Sequence, residues 1–198
     1  MTNTETPTPV RVLGIAGSLR KASFNALALR AAGEMLPAGM TLEVFDLAPI
    51  PLYNGDVEAE GMPGPVRDLQ RRFAEANALL IATPEYNASV PGVLKNAINW
   101  ASRPGPSGGS PLGGKPLAIF GASPSSLGTF RAQYHLRQVC VNVNLLPLQQ
   151  PEVFIAQAHL KFDAQGRLTD EDTRQYLRRL LDALAAWTRR LRGESRPF

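Results

Sequence analysis

Cysteine occurs once in this chain, at Cys140, and histidine twice, at His135 and His159. A single cysteine excludes an intramolecular disulfide and any metal cluster built on thiolates. Neither histidine lies beside a Ser or Cys at a turn, and the two share no metal-ligand spacing. Structural or solvent-exposed roles remain for both. Cys140 falls mid-helix among Val139, Val141 and Val143, the setting of a buried, inert thiol. Long apolar runs are missing too: nothing approaches the roughly 18–20 residues of a membrane span. The opening residues, MTNTETPTP, have neither a basic start nor an apolar stretch, so residues 1–9 read as a short disordered tail and not as a signal peptide. A cytoplasmic location is the expectation.

Charge of one sign is also scarce. The formal net charge is +4, and much of the surplus sits in Arg174, Arg178, Arg179, Arg189, Arg190, Arg192 and Arg196. These arginines share a helical pattern with an apolar stripe, and no aromatic-interleaved basic patch accompanies them. They read as a solvated helix face, so no nucleic-acid partner is expected. A pI near 9.6 suits anionic small ligands and does not suit an acidic electron shuttle.

What the chain does have is apolar residues, 44% of the total, enough for the core of one domain. They fall in short strand-like runs that alternate with helical spacing, the pattern of βαβ units. Strands are expected at 10–17, 41–47, 78–84, 115–123 and within 146–156. Helices are expected at 23–36, around Val66, Leu69 and Phe73, around Leu94, Ala97, Ile98 and Ala101, at 130–143, and at the C-terminal end. The last helix should start near Thr169 and Asp172 as a capping-box variant, burying Leu177, Leu180, Leu181, Leu184 and Leu191. The Pro/Gly/Ser-rich segment 103–114 reads as a surface loop. Right-handed crossovers then give an α/β doubly wound parallel sheet, of flavodoxin-like order 2-1-3-4-5, in one domain spanning 10–192 with a tail at 193–198.

In that order a ligand crevice lies beyond the C-terminal ends of strands 1 and 3. The segment after strand 1 is GSLRKASFN (17–25) and the one after strand 3 contains TPEYN (83–87). Gly17 permits a tight turn, Ser18, Ser23 and Asn25 can donate hydrogen bonds, and Arg20 offers a forked cation. The helix that follows adds unpaired amides and the positive end of its dipole, so the assembly suits a phosphate. Other motifs fail on context. GSPLGGK (109–115) has Pro116 where a Walker loop needs Ser or Thr, and a strand follows it. GIAGSLR lacks the full dinucleotide glycine pattern, and there is no G-x-S-x-G elbow. With no triad, metal cluster or carboxylate pair, the chemistry is expected to come from an organic cofactor.

GSLRKASFN, TPEYNASVPGVLKNAINWASR and RAQYHLRQ resemble the NAD(P)H-dependent FMN reductase family, in particular its bacterial chromate and quinone reductase branch. The resemblance runs from about Val10 to the last helix. It implies FMN bound noncovalently, its phosphate held by Ser18, Arg20, Ser23 and Asn25, with Phe24 as a further cofactor contact. It also implies that Pro84, Glu85, Tyr86 and Asn87 line the isoalloxazine edge, largely through backbone groups, with Ser123 as a further flavin contact. NADPH or NADH would donate hydride to FMN N5 in ping-pong turnover, and quinones, with chromate, azo or nitro compounds, would accept it. No side chain is assigned a proton-transfer role, and no metal is expected. The alternatives are a flavin reductase supplying a monooxygenase and a flavodoxin-like electron carrier. The resemblance further implies a homodimer or homotetramer, with interface candidates Arg131, Tyr134 and Glu152. Thr129-Phe130 departs from the Gly-Gly common at that point, so acceptor preference does not carry over.

Overall fold

The structure is a computed structural model that describes residues 9–105 and 108–193. The expected N-terminal tail (but for Pro9), residues 194–198 of the C-terminal tail, and positions 106–107 of the proposed surface loop lie outside the described residues.

The strands are β1 (Val10–Ala16), β2 (Met40–Phe45), β3 (Ala78–Ala82), β4 (Pro116–Ala122), β5 (Leu146–Pro147) and β6 (Val153–Ile155). They form one parallel sheet of order β2-β1-β3-β4-β5, with β6 also paired to β4. The predicted order is observed, but the fifth strand is split. Leu146 and Leu148, on either side of Pro147, donate to the carbonyls of Lys115 and Leu117; the chain then leaves β4 and passes Pro151, which has no N–H, before pairing resumes at Val153.

The helices are α1 (Phe24–Gly33), α2 (Gly55–Glu60), α3 (Gly64–Glu75), α4 (Gly92–Ala101), α5 (Phe130–Asn142) and α6 (Glu171–Leu191). Helix α2 was not expected: its sequence, GDVEAE, buries no residue and carries no apolar period to read. Two expectations for α6 are corrected. Its cap is Asp170, whose carboxylate accepts from the Thr173 N–H, while the Thr169 hydroxyl donates to the Lys161 carbonyl. Leu191, expected on the buried side, is 40% exposed.

Every residue of β3 and β4 is buried, because helices cover both faces of the sheet. Side chains alternate between two cores. Ala78, Leu80, Ala118 and Phe120 pack with Leu29 of α1 and Leu177, Leu181 and Leu184 of α6. Leu79, Ile81, Leu117 and Ile119 pack with Phe73 of α3, Leu94 and Ile98 of α4, and Leu136 of α5. Small residues on one face of β3 and larger ones on the other let α1 lie close to the central strands. The order reverses between β1 and β3, and the loops that follow these strands meet there.

Candidate functional site

The β1–α1 loop and the β3–α4 loop touch directly. A side chain at Gly17 would come within 3.0 Å of Pro84 and 3.2 Å of Pro91, so the absence of one allows the two loops to close on each other. The Ser18 and Tyr86 hydroxyls are hydrogen-bonded at 3.1 Å. The resulting cleft is lined by Ser18, Arg20, Ser23, Phe24, Asn25, Pro84, Glu85, Tyr86, Ala122, Ser123 and Pro124. Nine of these eleven are residues assigned to the cofactor from the sequence; Asn87 lies just beyond, and Ala122 and Pro124 were missed.

On the α1 side, the Ser23 side chain caps the helix by accepting from the Ala26 N–H at 3.3 Å. The first-turn amides of Phe24 and Asn25 have no intrahelical acceptor. The Arg20 side chain has no ion-pair partner among the described residues. Asn25 plays a different part from the expected side-chain donor. Its Oδ1 accepts from the Ala122 N–H and its Nδ2 donates to the Ala122 carbonyl, both at 2.9 Å. This buried side chain ties α1 to the end of β4, and what Asn25 offers a ligand is its backbone N–H.

On the other side, Tyr86 and Ser89 exchange backbone hydrogen bonds of 3.2 and 3.0 Å around a tight turn. Both central residues are left-handed, Asn87 at φ 49° and Ala88 at φ 62°. For Ala88 that conformation is strained, since its Cβ crowds the backbone. The turn engages the amides of Tyr86 and Ser89 internally, leaving those of Glu85 and Asn87 without an acceptor among the described residues. The Glu85 side chain is buried, and both its oxygens are engaged at the start of α5. Nothing in this arrangement presents it as a free base. At the third corner, the Ser123 hydroxyl donates to Ser125 Oγ and accepts from the Ser125 N–H, each at 3.1 Å.

Cys140 is buried in the core against the sheet, and burial pushes its thiol up to about 12. A buried thiol that ionises so reluctantly is poorly suited to act as a nucleophile. His135 lies near the site, its Nδ1 3.0 Å from Ser89 Oγ, a contact with no signal in the sequence. Among the described residues no cluster of His, Cys, Asp or Glu could hold a metal ion, and no helix is long and apolar enough to cross a membrane.

A doubly wound sheet whose switch-point crevice pairs an open helix N-terminus with a backbone-lined shelf defines a class: proteins that hold a flat, phosphorylated cofactor without covalent attachment. The donors present fit FMN, with amides, a hydroxyl and an unpaired guanidinium at one end and free amides at the other. The sequence profile of NADPH-dependent FMN reductases matches residues 10–160, and the chain belongs to that family. It is therefore an NAD(P)H-dependent flavin enzyme. It is 53% identical over 184 residues, 93% of this chain and 98% of the relative, to an NAD(P)H-dependent FMN reductase of Pseudomonas aeruginosa. Over 180 residues it is 42% identical to a 2-hydroxy-1,4-benzoquinone reductase of a Burkholderia species, covering 91% of this chain and 97% of that one. The flavoenzyme NAD(P)H:(acceptor) oxidoreductase FerB of Paracoccus denitrificans superposes with a TM-score of 0.82 at 35% identity, covering 91% of this chain and 98% of that one.

Proposed function

We propose that the enzyme reduces quinones at the expense of NAD(P)H, with FMN seated in the cleft between the β1–α1 and β3–α4 loops. The observation that carries the seating is the open N-terminus of α1 beside an unpaired Arg20, facing the Pro84–Asn87 shelf across one cleft. Quinone as the acceptor class rests on the relatives, which include the benzoquinone reductase above and a quinone reductase of Pseudomonas putida at 40% identity over 175 residues.

The chain's own part is binding and orientation. The amides of Phe24 and Asn25, Ser18, Ser23 and Arg20 hold the phosphate, with the α1 dipole adding favourable charge. The amides of Glu85 and Asn87 present donors to the ring edge, and Pro84, Tyr86 and Ser123 shape its surroundings. When bound, FMN supplies a ring whose N5 accepts a hydride from the nicotinamide and passes it to the acceptor. No side chain need gain or lose a proton. A homodimer or homotetramer remains part of the proposal. Within one chain Arg131 already pairs with Glu85, and Glu152 lies 4.0 Å from Arg137, while Tyr134 is half-exposed. Sedimentation of the Tyr134→Glu variant tests that assembly.

Purified protein should be yellow or become so with FMN, bleach under anaerobic NADPH or NADH, and recover its colour with benzoquinone. Chromate, azo and nitro compounds belong in the same acceptor panel. Protein that stays colourless with added FMN overturns the seating. Flavin that resists both nicotinamides makes the protein a carrier, and recovery only through release of reduced FMN makes it a flavin donor to a monooxygenase.

A further inference from the structure

Helix α5 starts without a cap of its own. Thr129, at its N-cap, makes no capping bond; its Oγ1 accepts instead from Gln133 Nε2 at 3.1 Å. The cap comes from another part of the chain. Glu85 Oε2 accepts from the N–H groups of Arg131 and Ala132, at 3.0 and 3.2 Å. Its other oxygen accepts from Arg131 Nε at 2.6 Å and pairs with the second guanidinium nitrogen as well. The Glu85 side chain is 6% exposed, so solvent competes little with these bonds.

The shelf needs such an anchor. Its turn places Asn87 and Ala88 in the left-handed region, and a strained turn persists only when its surroundings over-determine it. Three contacts hold it: Ser18 to Tyr86, Ser89 to His135, and Glu85 to Arg131 and Ala132. Two of the three lead to α5. The carboxylate also fills the anion-attracting end of α5, which is therefore not open to a phosphate as the first-turn amides of α1 are.

We propose that Glu85 is a positioning residue: its carboxylate caps α5 from the β3–α4 loop and thereby holds the Pro84–Ser89 shelf at the angle a flavin ring requires. It takes no part in proton transfer. The functional half of this statement rests on the FMN seating above, whereas the structural half does not.

The test uses Glu85→Ala, Glu85→Gln and Arg131→Ala in the full chain. Without added FMN, hydrogen exchange is followed at the Tyr86 and Ser89 amides; with FMN, affinity is read from fluorescence quenching. Glu85→Ala should speed exchange at both amides and weaken FMN binding, each by about tenfold, the effect of losing a cap worth roughly 1–2 kcal/mol. Arg131→Ala should do the same to a lesser degree. Glu85→Gln, which keeps an acceptor oxygen, should recover most of both losses, with the limbs of the pH profile of kcat/KM where the wild type has them. Should Glu85→Ala not fold, Arg131→Ala carries the comparison, and exchange at the wild-type rate in that variant overturns the proposal. Glu85→Gln with a shelf that exchanges as in the wild type, kcat down more than a hundredfold and one pH limb missing would make Glu85 an acid or base instead. If the wild type fails to bind FMN while exchange still follows Glu85, the seating falls and the positioning role stands.

Discussion

Helices α1 and α5 both start at the C-terminal edge of the sheet, and their first turns are completed in opposite ways. α1 is capped by its own Ser23, its first amides stay open, and Arg20 beside it has no ion-pair partner among the described residues. α5 is capped by a carboxylate from 46 residues earlier in the chain, and that carboxylate also takes up Arg131. Each helix also has a tie to β4: α1 through Asn25 on Ala122, α5 through Thr129 packed against Gly121. Two ends with similar dipoles therefore differ in what they can still bind. One is available to a ligand and the other is a joint inside the protein.

The largest expected effect is on the joint. A Cβ at Gly121 would lie 2.1 Å from both Thr129 Oγ1 and the Thr83 carbonyl oxygen, so Gly121→Ala must push α5 or β3 away from β4. About 3 kcal/mol or more of stability should be lost, seen as a lower urea midpoint. A variant as stable as the wild type would mean that α5 is not tightly seated. Asn25→Ala strikes the corresponding tie of α1. It leaves the buried N–H and carbonyl of Ala122 unpaired and should cost about 2–3 kcal/mol in the same assay. The mildest change to the fold is Arg20→Ala, which removes no side-chain hydrogen bond or ion pair among the described residues. Stability should hold while FMN affinity falls about tenfold and loses part of its salt dependence. Arg131→Ala should weaken FMN through the shelf and leave that salt dependence intact. The reverse pattern would exchange the roles of the two helix ends.

Much of this was readable in the residues. β3 and β4 are short, continuous apolar runs because both of their faces are covered, and Leu94, Ala97, Ile98 and Ala101 keep the period of a half-buried helix. Alternation and crossover handedness give a doubly wound sheet, 2-1-3-4-5 is its commonest order at this size, and that order brings GSLRKASFN and PEYN together. The misses have local physical reasons. Polar α2 carries no burial signal, and the interruption between β5 and β6 depends on which amides face β4. At the start of α6, Thr169 and Asp170 are both competent caps; the bond from Thr169 to Lys161 decides between them.

The sequence by itself determined the sheet, its helices and the place where its loops converge, because burial patterns repeat along the chain every two or 3.6 residues. Tertiary structure alone decided which polar groups at that place remain open. Asn25 finds its partner 97 residues away and Glu85 finds Arg131 46 residues away, distances over which no periodicity runs. A polar atom's partner is set by packing, so Glu85, which by its chemistry could have been a base, became a cap.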